Sequence, residues 1–284
     1  MTEKQTNLIV RSLTGIVFLA AMIGGIVYSP LSLGILFILV TALAVHEFCD
    51  IVSERADVEI NPLICTMSGV FLFLAFFGYC SGWTPTPTVF IPYLISIVYL
   101  LISELYLQRE SPINNWAYTM MSQMYVALPF SLIPVLAFMT DPAHPQDVHF
   151  RWIFPLSVFI FLWTSDTGAY CFGSLFGKHR LFERISPKKS WEGSIGGAAV
   201  SLVTAFILAR FDNSLTLPQW LGFALVVVVF GTWGDLVESL LKRQLGIKDS
   251  GKILPGHGGI LDRFDSSLLA IPASVVYLYT LTLL

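Results

Sequence analysis

The chain has 284 residues, of which 55% are hydrophobic and only 12% are charged, and its formal net charge is -3. Soluble domains usually contain about 25% charged residues, so this composition excludes an ordinary soluble fold and indicates an integral membrane protein. The slightly acidic balance gives no support for nucleic-acid binding. The four cysteines lack CxxC spacing, which argues against a zinc cluster or a disulfide framework and favours buried thiols.

Nine apolar runs are candidates for membrane spans, because a helix needs about 20 apolar residues to cross a hydrocarbon core. The sequence therefore predicts an all-α fold, a polytopic transmembrane helix bundle of about nine spans. The first two runs are short and are separated only by Ser29 and Pro30, so a re-entrant hairpin is an alternative to two full spans. In chain order the runs are 13–28, 31–45, 62–80, 89–107, 120–139, 152–176, 195–209, 217–241 and 267–284.

Basic residues divide unevenly between the two sides of the predicted bundle. With the N-terminus inside, fourteen of the sixteen Lys and Arg residues fall on the inner side, and only Arg151 and Arg210 fall outside. This is a strong positive-inside pattern, and it predicts an outer C-terminus. Ten of the fourteen follow residue 150. We therefore expect N-terminal helices 1–150 that provide a scaffold and lipid access, and a catalytic C-terminal region 151–284 with two inner polar loops.

A polar stripe is predicted on the eighth run. Asp235, Glu238, Ser239 and Lys242 have the spacing i, i+3, i+4 and i+7, which places them on one face of a helix. Glu238 also has the i, i+4 spacing for an ion pair with Lys242, so a purely local role for it stays open.

Two other spans also carry carboxylates. Asp166 interrupts the sixth run, and Asp262 and Asp265 precede the ninth. Charges at membrane depth normally face a bundle interior or an aqueous cavity, so we expect these groups to share a polar pocket, although a packing role suits Asp166 about as well. Hard oxygen ligands on separate helices suit Mg²⁺, which takes one or two carboxylates and completes its shell with water and phosphate oxygens.

Cations and glycines accompany these carboxylates on the same predicted side. Lysines bind phosphate as point charges, and glycine-rich turns let backbone N–H groups approach an anion, which a PGHGG turn containing His257 could do. Considered one by one, the lysines have a simpler explanation as determinants of membrane topology, and His257 has one as an ordinary loop residue. His46 and Glu47 end a predicted span and are expected at the membrane interface. The cations in question are Lys188, Lys189, Lys242, Arg243, Lys248 and Lys252.

Several reaction classes lack their usual motifs. The sequence contains no GxxxxGK[ST], no GxGxxG after a strand and no HExxH, which argues against P-loop hydrolysis, Rossmann hydride transfer and intramembrane zinc proteolysis. An ion-coupled transporter with midplane carboxylates is a further alternative, but it does not explain the lysine-rich loops on one side.

The 27 residues from Ser239 to Asp265, SLLKRQLGIKDSGKILPGHGGILDRFD, resemble the signature of the phosphatidate cytidylyltransferase family, also called CDP-diacylglycerol synthases, of bacterial type. The flanking SDTGAY, FGKHRL, SPKKSWEG and GDLVES segments are also similar to the family pattern, so the resemblance covers about residues 163–266. The first 150 residues add only a compatible hydrophobic pattern.

This resemblance implies a Mg²⁺-dependent enzyme that converts CTP and phosphatidate to CDP-diacylglycerol and pyrophosphate in phospholipid biosynthesis. It implies a metal centre at Asp235, Asp262 and Asp265, with Ser239 and Lys242 also catalytic. Whether a second metal ion binds is left open. Of the two lysines, Lys189 is assigned to substrate binding on the weaker resemblance, because the family varies at this position. The implied substrate-binding residues are Asp166, Lys188, Lys189, Arg243, Lys248, His257 and Arg263.

The implied partners are CTP, phosphatidate and the lipid bilayer, with no nucleic acid, and a homodimer stays open. The expected location is the bacterial inner membrane, with the active site facing the cytoplasm. A CTP-dependent lipid kinase, or a synthase for another lipid phosphate, is the alternative within this chemistry.

Overall fold

A computed structural model of the chain describes residues 3–141, 144–251 and 258–283. Helices dominate these residues, and two small antiparallel hairpins join them. In chain order the elements are α1 (Glu3–Val27), α2 (Pro30–Arg55), α3 (Pro62–Cys80), a 3-10 turn (Pro87–Phe90), α4 (Ile91–Leu107), α5 (Pro112–Met121), a π-helical turn (Ser122–Ala127), α6 (Leu128–Ser131), α7 (Ile133–Ala137), β1 (Phe138–Asp141), β2 (His144–Phe150), α8 (Ile153–Phe176), β3 (Arg180–Phe182), β4 (Ser186–Ser190), α9 (Trp191–Phe211), α10 (Leu217–Gln244), α11 (Leu261–Phe264) and α12 (Ser267–Leu283).

The chain forms two compact units. The first comprises Met1–Ile153 and Leu245–Phe264, and the second comprises Phe154–Gln244 and Asp265–Leu284. The loop that follows α10 therefore belongs to the first unit, together with the N-terminal helices. Whether residues 1–150 and 151–284 divide scaffold from catalysis stays a prediction.

The all-α, polytopic membrane fold is confirmed. Within the described residues, seven helical runs are long and apolar enough to cross a membrane, and Ser12–Val27 is a shorter apolar helix. The remaining predicted span corresponds to α8, a 24-residue helix whose second half contains the polar SDTGAY segment. These account for the approximately nine spans predicted from the sequence.

The connection between α1 and α2 is a reciprocal helix cap. Ser29 Oγ accepts a hydrogen bond from Ser32 N (3.1 Å), and Ser32 Oγ accepts one from Ser29 N (2.9 Å). Pro30 follows at the first helical position, where its missing N–H has no cost. With 26 residues, α2 is about 39 Å long, which exceeds a hydrocarbon core of about 30 Å and favours a full span over a re-entrant hairpin.

Aromatic side chains form the core of the first unit around Phe264, which ends α11 and is fully buried. Its ring lies 5.4 Å from that of Phe130 and 5.8 Å from that of Phe18, both in edge-to-face geometry. This packing anchors the segment that contains Asp262 to the N-terminal helices, because edge-to-face contacts add to the burial of each ring.

The core of the second unit lies between α8 and α10. Trp220 is fully buried, and its ring lies 6.0 Å from those of Phe154 and Phe223. Between α8 and α9, Ser201 Oγ donates to the carbonyl oxygen of Phe161 (2.7 Å). Such a bond sets the position of one apolar helix against the other, because hydrophobic burial alone does not select one packing arrangement in a membrane.

The two hairpins were not predicted from the sequence. β1 pairs with β2 and β3 pairs with β4, in separate two-stranded antiparallel sheets. The strands have seven residues or fewer and lie in polar loops, where alternating hydrophobicity is too brief to indicate a strand. The expectation of buried cysteines holds for Cys49 and Cys65, whereas Cys171 is exposed.

Candidate active site

A cavity of about 350 Å³ opens in the second unit. Its walls come from the polar half of α8, from β4, from the first turn of α9, from α10 and from Ser266. Three predicted substrate-binding residues line it, namely Asp166, Lys188 and Lys189. A volume of this size lies within the range of small-molecule sites, about 300–1,000 Å³.

A salt bridge links this cavity to the polar stripe of α10. Lys189 Nζ lies 2.5 Å from Asp235 Oδ2, and the two side chains are 26% and 28% exposed. The pair is therefore partly shielded from water, where its attraction is stronger than that of an exposed pair. Lys189, the lysine that the family resemblance supports less strongly, is thus in direct contact with Asp235, a predicted metal ligand.

Gly234 allows α10 to approach Asp265 closely. A Cβ atom at Gly234 would lie 2.7 Å from the carbonyl oxygen of Asp265, which real Cβ atoms essentially never do. Asp265 lies within electrostatic range of Asp235, Lys242 and Asp166, and its Oδ1 accepts from Ser266 N (2.6 Å). Glycine at this position therefore lets α10 pass close to the backbone of Asp265, in a region where three acidic side chains and Lys242 lie near one another.

The predicted polar stripe on α10 is confirmed. Ser239 Oγ donates to Asp235 Oδ1 (3.1 Å), one turn away. Lys242 Nζ lies 3.2 Å from Glu238 Oε1, and Glu238 is 1% exposed. The i, i+4 pairing left open for Glu238 is thus present, and it compensates a buried charge beside the predicted catalytic Ser239.

Asp262 belongs to the first unit, where it holds a loop. Its Oδ2 accepts hydrogen bonds from the backbone N–H groups of Ser250 (2.8 Å) and Gly259 (2.9 Å). In the PGHGG turn, the N–H of Gly259 thus binds a carboxylate of the protein, and anion binding by this turn stays a prediction. His257 and Lys252 lie outside the described residues.

The other predicted cations are solvent-exposed. Lys188 lies at the cavity and Arg243 in the last turn of α10, both in the second unit, whereas Lys248 and Arg263 belong to the first unit. Exposed lysine and arginine side chains can turn toward a bound polyphosphate, and substrate binding by these four residues stays a prediction.

Glycines at small-xxx-small spacing serve packing within the chain. A Cβ at Gly193 on α9 would lie 3.2 Å from the Cα of Gly173 on α8. Close backbone approach of this kind is typical of membrane helices. The homodimer stays a prediction.

Sequence reasoning missed Glu47. We predicted an interfacial position, but Glu47 is 5% exposed and accepts three hydrogen bonds from the loop after α10. The local sequence gave no indication of this, because the partners lie about two hundred residues further along the chain. The polar cavity residues were missed as well: Ser165, Tyr170, Ser174, Ser190, Ser194 and Thr232.

The donor chemistry of the second unit fits a divalent cation. Asp166, Asp235 and Asp265 offer only oxygen ligands, and their mutual repulsion is relieved when a cation is bound. Among the described residues, no group of three or more His, Cys, Asp or Glu side chains is arranged as a ready metal-binding cluster. Mg²⁺ commonly binds one or two carboxylates, so the residues fit it, and the Mg²⁺ assignment stays a prediction.

The fold defines a polytopic membrane protein, with a cavity in the second unit that lysine and aspartate side chains line. The Cytidylyltransferase family model matches residues 9–281. The chain therefore belongs to the cytidylyltransferase family and is a nucleotidyltransferase, as the resemblance of its motifs predicted.

Curated relatives from staphylococci agree with this family. A phosphatidate cytidylyltransferase of Staphylococcus aureus (strain COL) is 33% identical over 265 residues, 93% of this chain and 96% of that protein. One from Staphylococcus haemolyticus is 41% identical over 181 residues, 63% of this chain and 65% of that protein. One from Staphylococcus saprophyticus is 39% identical over a stretch of the same length.

Proposed function

We propose that the protein is a Mg²⁺-dependent phosphatidate cytidylyltransferase, which joins CTP and phosphatidate to give CDP-diacylglycerol and pyrophosphate. The observation that carries the proposal is the cavity in which Lys188, Lys189 and Asp166 meet beside Asp235, in a chain of the cytidylyltransferase family. The names of the staphylococcal relatives support phosphatidate as the acceptor.

The reaction is an in-line displacement at phosphorus. A phosphate oxygen of phosphatidate attacks the α-phosphorus of CTP, the new P–O bond forms, and the bond to the bridging oxygen of the β-phosphate breaks. Pyrophosphate leaves with that electron pair. The nucleophile is already an anion near neutral pH, so no general base is needed. The main barrier is repulsion between two polyanions, which preorganised cations reduce.

The cations of the cavity supply part of that stabilisation. Lys188 and Lys189 line the cavity, and Lys189 also contacts Asp235, so it lies where a phosphate and a metal-binding carboxylate meet. A partly buried ammonium group stabilises charge on a leaving pyrophosphate better than a fully exposed one. Lys242 is a further ammonium group, which lies on α10 together with Asp235 and pairs with Glu238.

Of the three carboxylates that the family resemblance assigns to Mg²⁺, Asp235 and Asp265 lie in the second unit and would hold the ion there, whereas Asp262 lies in the first unit. When bound, the ion would neutralise charge on the phosphate oxygens as a Lewis acid. Ser239 donates to Asp235 Oδ1 and thereby orients this carboxylate. Hydrogen bonds of this kind tune a metal ligand without touching the metal.

The positive-inside pattern supports a cytoplasmic site in the inner membrane of a bacterium. Fourteen of sixteen Lys and Arg residues fall on the predicted inner side, including the lysines of the cavity. CTP is available on that side, and the phosphatidate headgroup lies at the membrane surface. The acyl chains could leave the site laterally between helices.

Two labels of CTP test the proposal. Purified protein is supplied with phosphatidate vesicles and Mg²⁺, and with CTP labelled either at the α- or at the γ-phosphate. Cytidylyl transfer places the α-label in the lipid and the γ-label in pyrophosphate, and chelation of divalent ions stops it. Transfer of the γ-label to a lipid would instead identify a CTP-dependent lipid kinase. Ion flux in sealed vesicles without nucleotide, with no labelled lipid, would identify a transporter.

A further inference from the structure

A buried carboxylate of α2 closes the base of the loop that follows α10. Glu47 is 5% exposed, although it lies on a helix otherwise rich in apolar residues. Its Oε1 accepts from Ser250 Oγ (2.6 Å) and from Leu261 N (3.0 Å), and its Oε2 accepts from Ile260 N (2.9 Å). This one side chain therefore binds residues on both sides of the undescribed segment 252–257.

Ser250 joins this carboxylate to a second one. Its Oγ donates to Glu47 and accepts a hydrogen bond from Asp262 N (3.3 Å), while its own N–H donates to Asp262 Oδ2 (2.8 Å). Gly259 N donates to the same Oδ2 atom (2.9 Å). Glu47, Ser250 and Asp262 thus form one hydrogen-bonded clasp, and Asp262 is also a predicted metal ligand.

The backbone is shaped to receive Glu47. A Cβ at Gly251 would lie 2.6 Å from Glu47 Oε2, and one at Gly259 would collide with Oε1 of the same carboxylate. These glycines flank the undescribed part of the loop. Within the described part of the chain, the partners of Glu47 are a hydroxyl and two backbone N–H groups, and these directional hydrogen bonds offset part of the cost of burying the carboxylate.

We propose that Glu47 is a positioning residue of the enzyme: its hydrogen bonds fix Ser250, Ile260 and Leu261, and through Ser250 they fix the carboxylate of Asp262, a predicted metal ligand. This inference rests on the proposed function. It gives the N-terminal helices a specific part in catalysis, since α2 supplies the carboxylate. Misplacement of a reacting group by about 1 Å can cost about a hundredfold in rate, so a loop of this kind requires firm anchoring.

The decisive variant is Glu47→Gln, which has nearly the same shape. Three described donors face Glu47. A glutamine amide has one acceptor oxygen, and it carries an NH2 donor group in place of the second oxygen. At least one of the three donors therefore loses its acceptor. We expect kcat/KM for CTP to fall at least about tenfold, the Mg²⁺ concentration for half-maximal rate to rise, and amide exchange at Ile260 and Leu261 to accelerate. Glu47→Asp keeps both acceptors and should recover part of the activity.

Two comparisons separate positioning from general stability. Ser250→Ala alone should lower kcat/KM less than Glu47→Gln, and the double variant should resemble Glu47→Gln, because both act through one clasp. Glu104→Gln is the matched control: Glu104 is 7% exposed in the same unit and binds Arg109 and Asn115. It should lower the thermal midpoint but leave kcat/KM within about twofold.

Independent effects of Glu47→Gln and Ser250→Ala, or an unchanged kcat/KM and Mg²⁺ requirement in Glu47→Gln, would overturn the positioning role. A wild-type protein without cytidylyl transfer would instead overturn the proposed function. Amide exchange still tests the clasp in that case: unchanged protection of Ile260 and Leu261 in Glu47→Gln would show that Glu47 does not hold the loop.

Discussion

Lys189 and Asp235 form an ion pair in which Nζ lies 2.5 Å from Oδ2, and this contact joins β4 to the middle of α10. Lysine and aspartate thereby neutralise each other next to the cavity. When a divalent cation and a polyphosphate bind, each member of the pair has a better partner: the carboxylate can bind the cation, and the ammonium group can bind phosphate oxygens. The pair keeps both groups in place before the substrates arrive.

Loss of the carboxylate should abolish most of the activity. Asp235→Asn keeps the shape of the side chain and the hydrogen bond from Ser239, but removes the negative charge that Mg²⁺ requires. We expect kcat to fall at least about tenfold, with a higher Mg²⁺ requirement. Initial rates at several Mg²⁺ concentrations measure both effects. Full activity in Asp235→Asn and in Asp262→Asn would remove the basis for the proposed metal centre.

Lys189 should matter for CTP more than for folding. Lys189→Met keeps much of the apolar stem but removes the charge, so kcat/KM for CTP should fall about tenfold, as expected when one charge-assisted contact is lost. Lys189→Arg retains the charge and should retain more activity. CTP titrations at saturating lipid provide the measurement, and wild-type kinetics in Lys189→Met would contradict a phosphate-binding role.

Much of the fold could be predicted from the sequence because the membrane imposes a simple rule. Runs of about 20 apolar residues must be helical in lipid, so the predicted run 217–241 corresponds closely to α10, Leu217–Gln244. The helical period then placed Asp235 and Ser239 on one face. The run 31–45 was predicted too short, because α2 continues beyond the apolar residues through a more polar segment to Arg55, which is exposed.

Long-range contacts could not be predicted in the same way. Glu47 looks interfacial when only its neighbours in sequence are considered, since hydropathy carries no information about Ser250 or Leu261. The pairing of Lys189 with Asp235 depends on the turn of β3 and β4, which were too short to recognise. The candidate site residues were predicted individually from their chemistry and from the family resemblance, whereas their contacts became visible only in the folded chain.

Gly234 should not tolerate a methyl group. In Gly234→Ala the new Cβ would lie 2.7 Å from the backbone oxygen of Asp265, so α10 or the chain at Asp265 must move. Overpacking of this kind costs about 1–3 kcal/mol, and we expect a lower thermal midpoint together with a loss of activity. Gly24→Ala is the control, because nothing lies within 4 Å of a Cβ there. It should be neutral or slightly stabilising, since alanine favours a helix.

The hairpin that carries the cavity lysines depends on Glu192. Its carboxylate accepts hydrogen bonds from Lys178 N and His179 N, both at 3.2 Å, and from His179 Nδ1 when that nitrogen is protonated. Glu192→Ala leaves two backbone N–H groups without this acceptor at the base of β3 and β4. We expect the KM for CTP to rise about threefold to tenfold with a smaller change in kcat, because Lys188 and Lys189 become less well positioned.

His179→Ala separates the two kinds of contact at this carboxylate. The His179 side chain is 79% exposed, and an exposed ion pair contributes little, about 0–1 kcal/mol. This variant should therefore keep a KM for CTP within about twofold of wild type, because the backbone donors to Glu192 remain. An equal effect of both substitutions would show that the imidazole holds the hairpin, and an unchanged KM in Glu192→Ala would show that the hairpin needs no such anchor.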